Sequence, residues 1–166
     1  REEALKVIDF CGLMPVKGLL ATRERYKSLV RMEVVAFPQE GILRNPGTEA
    51  LMREAMALGA DVVGGLPWYE MTDADARTHI DIAFDIAKSR DADIHMLVDD
   101  TDDANSRSLE YLAVKTMREG YAGRVSASHC GALAAYNQIY AEKVIGLVKE
   151  AGVTIVSNPH ISLVLA

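Results

Sequence analysis

The sequence predicts an α/β fold made of consecutive parallel β-α units from a TIM-type (β/α)₈ barrel, which this chain leaves incomplete. Five short runs of apolar or β-branched residues begin roughly every 30 residues, and each gap between them contains one helical pattern. This spacing is typical of β-α units whose strands run parallel. The five predicted strands are residues 34–37, 61–64, 94–98, 124–128 and 153–156.

The helical patterns between these strands have apolar faces and recognisable ends. Two gaps follow the i, i+3, i+4, i+7 spacing of an amphipathic helix. Its members are Ile80, Ala83, Phe84 and Ala87 in one gap and Leu109, Leu112, Ala113 and Thr116 in the next. Thr72, with Asp75 three residues later, resembles a capping box and indicates a helix start. Gly59, Gly120 and Gly152 end helical stretches, where glycine adopts the left-handed C-cap conformation.

An open doubly wound sheet is the alternative to a barrel, and chain length favours it, because a complete barrel needs about 250 residues. The side chains that follow the strands favour the barrel, which collects its chemistry at the carboxyl ends of its strands. These side chains are Gln39, Trp68, Asp99, Asp100, His129, Asn158 and His160. The first strand is not followed by the Gly-x-Gly-x-x-Gly turn of a dinucleotide site. A barrel segment is therefore the predicted architecture.

The composition predicts a globular chain with a small-molecule partner. Of the 166 residues, 49% are hydrophobic, enough to bury a core in a single domain over residues 1–166. The net charge of −6 argues against nucleic-acid binding. No apolar stretch is as long as a membrane span, and Cys11 and Cys130 form no disulfide framework or zinc pattern, so a soluble, cytoplasmic protein is expected. We expect the missing barrel units to come from further sequence or from another copy in a homo-oligomer.

Residues 36–42, Ala-Phe-Pro-Gln-Glu-Gly-Ile, resemble a segment of bacterial cytosine deaminases. The similarity continues through residues 59–64, 106–107, 124–129 and 158–159, without insertion between Gln39 and His129. On these segments the chain is similar to the cytosine-deaminase-like amidohydrolases over nearly its whole length, but only to the middle of their barrel. The resemblance implies a hydrolase that uses one divalent metal ion, zinc or iron, to deaminate a heterocyclic amine.

The resemblance also implies roles for two residues. Gln39 matches the family glutamine that hydrogen-bonds the substrate ring, and the alternative is a loop amide that caps local backbone. His129 matches the family histidine that binds the metal or the metal-activated water, and the alternative is a structural histidine. Trp68, followed by Tyr69, could stack on a planar heterocycle or anchor its loop. Gln39 and Trp68 are thus the predicted substrate-binding residues.

The third strand departs from the family pattern. The family has a metal-binding histidine followed three residues later by a proton-shuttling glutamate, and alignment without gaps assigns Leu97 and Asp100 to these positions. Leucine cannot bind a metal. His95 either takes over the ligand position through a two-residue slip, or lies about 7 Å deeper in the barrel as a core histidine with paired nitrogens. His95 and His129 are the predicted metal ligands on the first alternative.

Four carboxylates, Asp99, Asp100, Asp102 and Asp103, follow this strand, and their mutual repulsion requires a cation, a proton or solvent. An exposed acidic loop explains Asp102 and Asp103 equally well. Asp100 is the predicted general acid/base and His129 the second catalytic residue, because Asp100 holds the family glutamate position. The family His-x-His pair is not visible near residues 4–9, where only Asp9 is similar, and His160 is displaced from the family position.

Two function classes follow. In the first, a metal-bound water is deprotonated by Asp100 and attacks a ring carbon of cytosine or a related pyrimidine, triazine or pterin. In the second, the chain comes from a catalytically inactive, metal-free relative that binds a heterocycle. A truncated copy of a complete enzyme is a third possibility.

Overall fold

The computed structural model describes residues 12–159, in which five α-helices and five β-strands occur. The helices are α1 Met14–Tyr26, α2 Thr48–Leu58, α3 Asp73–Arg90, α4 Ser108–Glu119 and α5 Gln138–Ala151. The strands are β1 Val35–Ala36, β2 Val62–Gly65, β3 Asp93–Val98, β4 Val125–His129 and β5 Thr154–Val156. Short 3₁₀ turns, Pro67–Tyr69 and Gly131–Ala134, follow β2 and β4. All five predicted strands are confirmed, each end within one residue of its predicted position.

The helix ends follow the predicted capping chemistry. The Thr72 hydroxyl accepts a hydrogen bond from the backbone N–H of Asp75 at 3.1 Å and so caps the start of α3. Gly59, Gly120 and Gly152 have φ values of 109°, 66° and 65° and end α2, α4 and α5. The predicted apolar faces of α3 and α4 are buried. Local sequence therefore determines where these helices begin and end.

The sheet is parallel throughout, and its strand order is β1-β2-β3-β4-β5. Along the same direction α2 packs on α3, α3 on α4, and α4 on α5. A doubly wound sheet instead reverses its strand order at a switch point and places helices on both faces. Sequential order with neighbouring helices in contact is the arrangement of consecutive units in a partial TIM-type barrel, so the predicted fold class is confirmed.

The two faces of the sheet belong to different apolar clusters, because successive strand residues point to opposite sides. Ala36, Val63 and Ile94 belong to the large cluster that the helices cover. A smaller cluster, which we call the inner cluster, lies on the opposite face and contains Val35, Phe37, Leu66 and Leu97, with Val62, Trp68 and Tyr69 packed against it.

Gly64 lets β2 approach β1 closely on the inner face. A Cβ atom at this position would lie 2.7 Å from the Phe37 ring and 2.8 Å from the Phe37 Cα. Both distances are shorter than any ordinary carbon–carbon contact. The position therefore requires glycine for lack of space, although its φ is not in the left-handed region.

Within residues 12–159 no helix combines the length and the apolar character needed to cross a membrane.

Candidate functional site

Four of the predicted site residues lie at the carboxyl end of the parallel sheet. Gln39 follows β1, Trp68 lies in the 3₁₀ turn after β2, Asp100 follows β3, and His129 is the last residue of β4. Because parallel strands end at a common rim, these residues share one side of the molecule. Their roles in binding and catalysis stay predictions.

His129 and Asp100 are neighbours at this rim. His129 Nδ1 lies 3.1 Å from Asp100 Oδ1, although the two atoms are not aligned for a hydrogen bond. On the other side of the ring, His129 Nε2 is 3.3 Å from the Asn158 side-chain nitrogen. The His129 side chain is only 9% exposed, whereas that of Asp100 is 31% exposed. Asn158 therefore helps to orient an imidazole whose other nitrogen faces a partly solvated carboxylate.

The backbone at the end of β4 turns sharply through residues that are not glycine. His129 and Cys130 have φ values of 69° and 54°, in the left-handed region that side chains disfavour. The Cys130 N–H donates to the Val98 carbonyl at 2.9 Å, which ties this turn to the end of β3. Burial, together with the nearby Asp99 and Asp100, raises the pKa of the Cys130 thiol to about 12. Near neutral pH Cys130 is therefore a protonated thiol and not a nucleophile.

The four carboxylates after β3 divide into different roles. Asp99 is 1% exposed, and its carboxylate accepts hydrogen bonds from the backbone N–H groups of Ser108 and Leu109 at 3.1 and 2.9 Å. It thereby caps the first turn of α4. Asp103 accepts from the Asn105 N–H at 2.8 Å within the loop. Of the four, Asp100 is the one that faces His129.

His95 lies on the inner face of β3, opposite Ser126 of β4. Its Nδ1 is 2.8 Å from Ser126 Oγ and its Nε2 is 3.4 Å from Ser128 Oγ. Leu97, which alignment without gaps assigns to the family ligand position, packs in the inner cluster. On this face of β3, the His95 imidazole therefore contacts two hydroxyl groups, and Leu97, two residues later, contacts apolar neighbours. Metal binding by His95 stays a prediction.

Three buried side-chain atoms have no hydrogen-bond partner among residues 12–159, and all three belong to predicted site residues. They are Gln39 Oε1, Trp68 Nε1 and His129 Nδ1. A buried polar group without a partner costs roughly 1–3 kcal/mol, so such groups usually meet a ligand or water. The three atoms offer an acceptor, a donor and an imidazole nitrogen at one rim.

The two aromatic residues after β2 have different surroundings: Tyr69 contacts the loop after β1, and Trp68 lies at the rim. The Tyr69 ring lies under the Arg44 guanidinium at 4.3 Å, and the two rings of the pair meet edge to face with centroids 6.0 Å apart. Tyr69 is thus engaged by the loop after β1. Trp68 packs against the inner cluster.

The described residues supply only part of a metal site. Two ligands at about 2.1 Å from one ion, at right angles, are about 3.0 Å apart, which fits the 3.1 Å between His129 Nδ1 and Asp100 Oδ1. A metal site needs at least a third protein donor, and in the described part of the chain no three His, Cys, Asp or Glu side chains converge. His160 and Asp9 lie outside the described residues. These residues alone therefore do not fit a metal ion.

A second buried polar cluster, Glu70 with His79, lies beside the rim and was not predicted. His79 Nδ1 is 2.7 Å from Glu70 Oε1, and both side chains are fully buried. His79 Nε2 accepts a hydrogen bond from the Leu66 N–H at 3.0 Å, so Nδ1 carries the proton and donates to the carboxylate. The spacing of His79 from Ala76 and Ala83 could have placed it on the buried face of α3.

This pair predicts a loss of stability in mild acid. Burial lowers the pKa of His79 below its ordinary 6.5, although Glu70 opposes the shift. The unfolded chain therefore binds a proton at His79 that the folded chain does not, so stability is complete above pH 6.5 and falls as the pH drops below it. Burial raises the pKa of Glu70, but the hydrogen bonds from His79, Ile42 and Leu43 lower it below 4.5 overall, which adds a further loss under more acidic conditions.

Thermal unfolding of the full-length protein between pH 7.5 and 5.5 tests this prediction. The transition temperature is expected to fall with pH, and the fall is expected to be shallower in His79→Gln, which has no imidazole at this position. Parallel curves for the two proteins would contradict the assignment of this slope to His79.

The barrel segment brings Gln39, Asp100 and His129 to the carboxyl ends of its strands, the rim at which barrel enzymes place their catalytic residues. A family model described as "Amidohydrolase family" matches residues 8–165, and the chain belongs to this family. The resemblance found in residues 36–42 is confirmed at this level.

Three similar proteins, one of them with a solved structure, are named as deaminases or as an amidohydrolase. The structure of 5-methylcytosine deaminase from Klebsiella pneumoniae, liganded with phosphonocytosine, is 36% identical with a TM-score of 0.84 and covers 86% of this chain. N-isopropylammelide isopropyl amidohydrolase of Pseudomonas is 32% identical over 142 residues, or 86% of this chain. Pterin deaminase of Rhizobium rhizogenes is 28% identical over 144 residues, again 86% of this chain. The chain spans 35%, 35% and 32% of these three proteins, about a third of each.

Proposed function

We propose that the protein to which this chain belongs is a hydrolase that deaminates a heterocyclic amine at the rim described above. The observation that supports this most is that the buried side-chain atoms without a hydrogen bond in residues 12–159 belong to Gln39, Trp68 and His129, the last of which faces Asp100. A planar ring with an N–H and an acceptor nitrogen or oxygen would satisfy the first two atoms. The substrates named for the relatives, a methylated cytosine, a substituted ammelide and a pterin, all belong to this chemical class.

In this proposal Asp100 moves the proton. Its carboxylate is partly exposed, so water can reach it. Asp100 accepts a proton as the water oxygen bonds to the ring carbon that bears the amine, and the π pair of the ring C=N bond moves onto the ring nitrogen. The tetrahedral carbon then collapses as Asp100 returns the proton to the departing nitrogen. The C–N bond to the amine breaks as the C=N bond of the ring re-forms. The remaining hydroxyl proton then moves to the ring nitrogen, which leaves an oxo group and an N–H on the ring.

His129 and Gln39 hold the reacting groups. His129 is fixed by Asn158 on one side and faces Asp100 on the other, which suits an imidazole that orients the attacking water or stabilises the developing oxyanion. Gln39 would accept from a ring N–H, and Trp68 would donate to a ring acceptor. Packing on the apolar neighbours of the inner cluster would hold the Trp68 ring in place beside the bound heterocycle.

The divalent zinc or iron ion implied by the family would need donors beyond those in residues 12–159. Asp100 and His129 are the two suitably spaced donors in this range. A third donor from His95 would require that imidazole to leave its serine partners.

Two measurements on the purified full-length protein test the proposal. The first is release of ammonia or amine from 5-methylcytosine, pterin and N-isopropylammelide, and turnover of at least one is expected. The second is metal content, measured in wild type and in His95→Asn. Loss of metal and turnover in the variant would assign a ligand role to His95. Retention of both would show that His95 only forms the hydrogen bond with Ser126.

The rival function is a metal-free relative that binds a heterocycle without catalysis. The apolar packing of Leu97 at the family ligand position favours it. A wild-type protein without metal and without turnover, yet with measurable binding of one of the three rings, would decide for this rival.

A further inference from the structure

We infer that Glu70 and His79 are positioning residues for ring binding: they join the loops after β1 and β2 and so fix Gln39 and Trp68 relative to each other. The inference rests on the proposed function, because its main readout is binding of a heterocycle. Neither residue is at the rim itself.

Glu70 holds the loop after β1 through its backbone. Glu70 Oε1 accepts from the N–H groups of Ile42 and Leu43 at 2.6 and 3.1 Å, and Oε2 accepts from the Arg44 N–H at 3.0 Å. Three successive backbone donors around one carboxylate form an anion-binding concavity. Gly41 begins this segment with φ 86°, and a Cβ there would lie 3.0 Å from Glu70 Oε1. The carboxylate therefore fixes the conformation of the loop that starts at Gln39.

His79 fixes the carboxylate to the second loop. Its Nδ1–H donates to Glu70, and its Nε2 accepts from the Leu66 N–H, two residues before Trp68. The imidazole itself is held in the middle of α3 and is 0% exposed. One neutral side chain thus connects a helix, the loop of Trp68 and, through Glu70, the loop of Gln39.

A second connection joins the same two loops at the surface. Arg44 donates to the Tyr69 carbonyl at 2.7 Å and stacks over the Tyr69 ring. This contact is exposed, so it is expected to contribute little by itself. The buried pair is the rigid part of the connection.

The chemistry of the pair explains why a neutral replacement cannot substitute for Glu70. Two oxygens of one carboxylate accept from four donors, three on the backbone and one on His79. Glutamine has the same shape, but its NH₂ group would face at least one of these N–H groups and leave it unpaired. The loop after β1 must then shift, and loss of the hydrogen bond from Gln39 to the ring would weaken ring binding by about 10- to 100-fold.

The test compares variants of the full-length protein. Glu70→Gln is expected to weaken binding of the best of the three rings by about 10- to 100-fold and to raise KM. The kcat value is expected to stay within about threefold, since Asp100 follows β3 and His129 ends β4, away from the two connected loops. His79→Leu, which removes the donor, is expected to behave likewise. His79→Asn keeps a donor on the Nδ1 side and is expected to restore part of the affinity.

Leu112→Ala is the matched control. Leu112 lies on α4 and is fully buried in the large cluster, away from the inner cluster, so its truncation lowers stability without removing a contact of Glu70 or His79. Amide hydrogen exchange is measured at residues 42–44 in each protein, with and without ring. Faster exchange at these three amides in Glu70→Gln, and unchanged exchange there in Leu112→Ala, is the expected pattern.

Two results overturn the inference. If wild type binds a ring and Glu70→Gln binds it equally well, the pair is structural only, and the proposed function stands. If wild type binds none of the three rings, the proposed function fails, and the positioning role fails with it.

Discussion

Replacing Asp100 with asparagine is expected to lower deaminase turnover of the full-length protein by about 10²- to 10⁴-fold, the usual contribution of a general acid/base. Asparagine keeps the size of the side chain but cannot take and return a proton. Because Asp100 is partly exposed and has no buried backbone partner of the kind that Asp99 has, the thermal unfolding transition is expected to be unchanged.

Asp102→Asn is the control for this experiment. It makes the same change of charge in the same loop at an exposed position. Turnover within about twofold of wild type is expected for the control, since distant exposed charges are screened. Equal losses in both variants, or none in Asp100→Asn, would remove Asp100 from the proton path and leave another residue to move the proton.

Replacing Gly64 with alanine is expected to destabilise the fold by about 1–3 kcal/mol, because the new methyl group would overlap both the ring and the backbone of Phe37. A backbone atom cannot move aside as the end of a flexible side chain can. The lowering of the unfolding temperature, measured by circular dichroism on the full-length protein, is expected to be several degrees.

Gly146→Ala is the matched control for Gly64→Ala. Gly146 lies inside α5, and a Cβ there would meet no atom within 4 Å. Alanine is the better helix former by about 1 kcal/mol, so this variant is expected to be more stable than wild type. If the same glycine-to-alanine change lowers stability at position 64 and raises it at position 146, the loss of stability at position 64 is due to the lack of space there. A Gly64→Ala protein as stable as wild type would refute the close approach of β1 and β2.

The parts of the structure that could be predicted are those that depend on neighbouring residues in the sequence. The five strands, the Thr72 cap and the left-handed glycines after α2, α4 and α5 follow from local periodicity and backbone chemistry. The sequence also indicated which rim would collect Gln39 and His129, since strand direction alone decides this in a parallel sheet.

Contacts between different units could not be predicted in the same way. The partner of His95 depends on the register that sets it opposite Ser126. Glu70 follows a turn, and nothing around it indicates that its carboxylate will collect N–H groups from residues 42–44. The different roles of Asp99 and Asp100 could not be predicted either, because only the path of the loop after β3 brings Asp99 to the start of α4.

The sequential order of the strands has a consequence for synthesis on the ribosome. Within residues 12–159, each of the strands β2 to β5 pairs with the strand made just before it. Loop closure between consecutive units is therefore short, and a growing chain can add one β-α unit at a time to the units that have already emerged. Until the next unit arrives, the newest strand has an unpaired edge that can pair with other chains. Slow translation just after a strand would lengthen that exposure and favour aggregation.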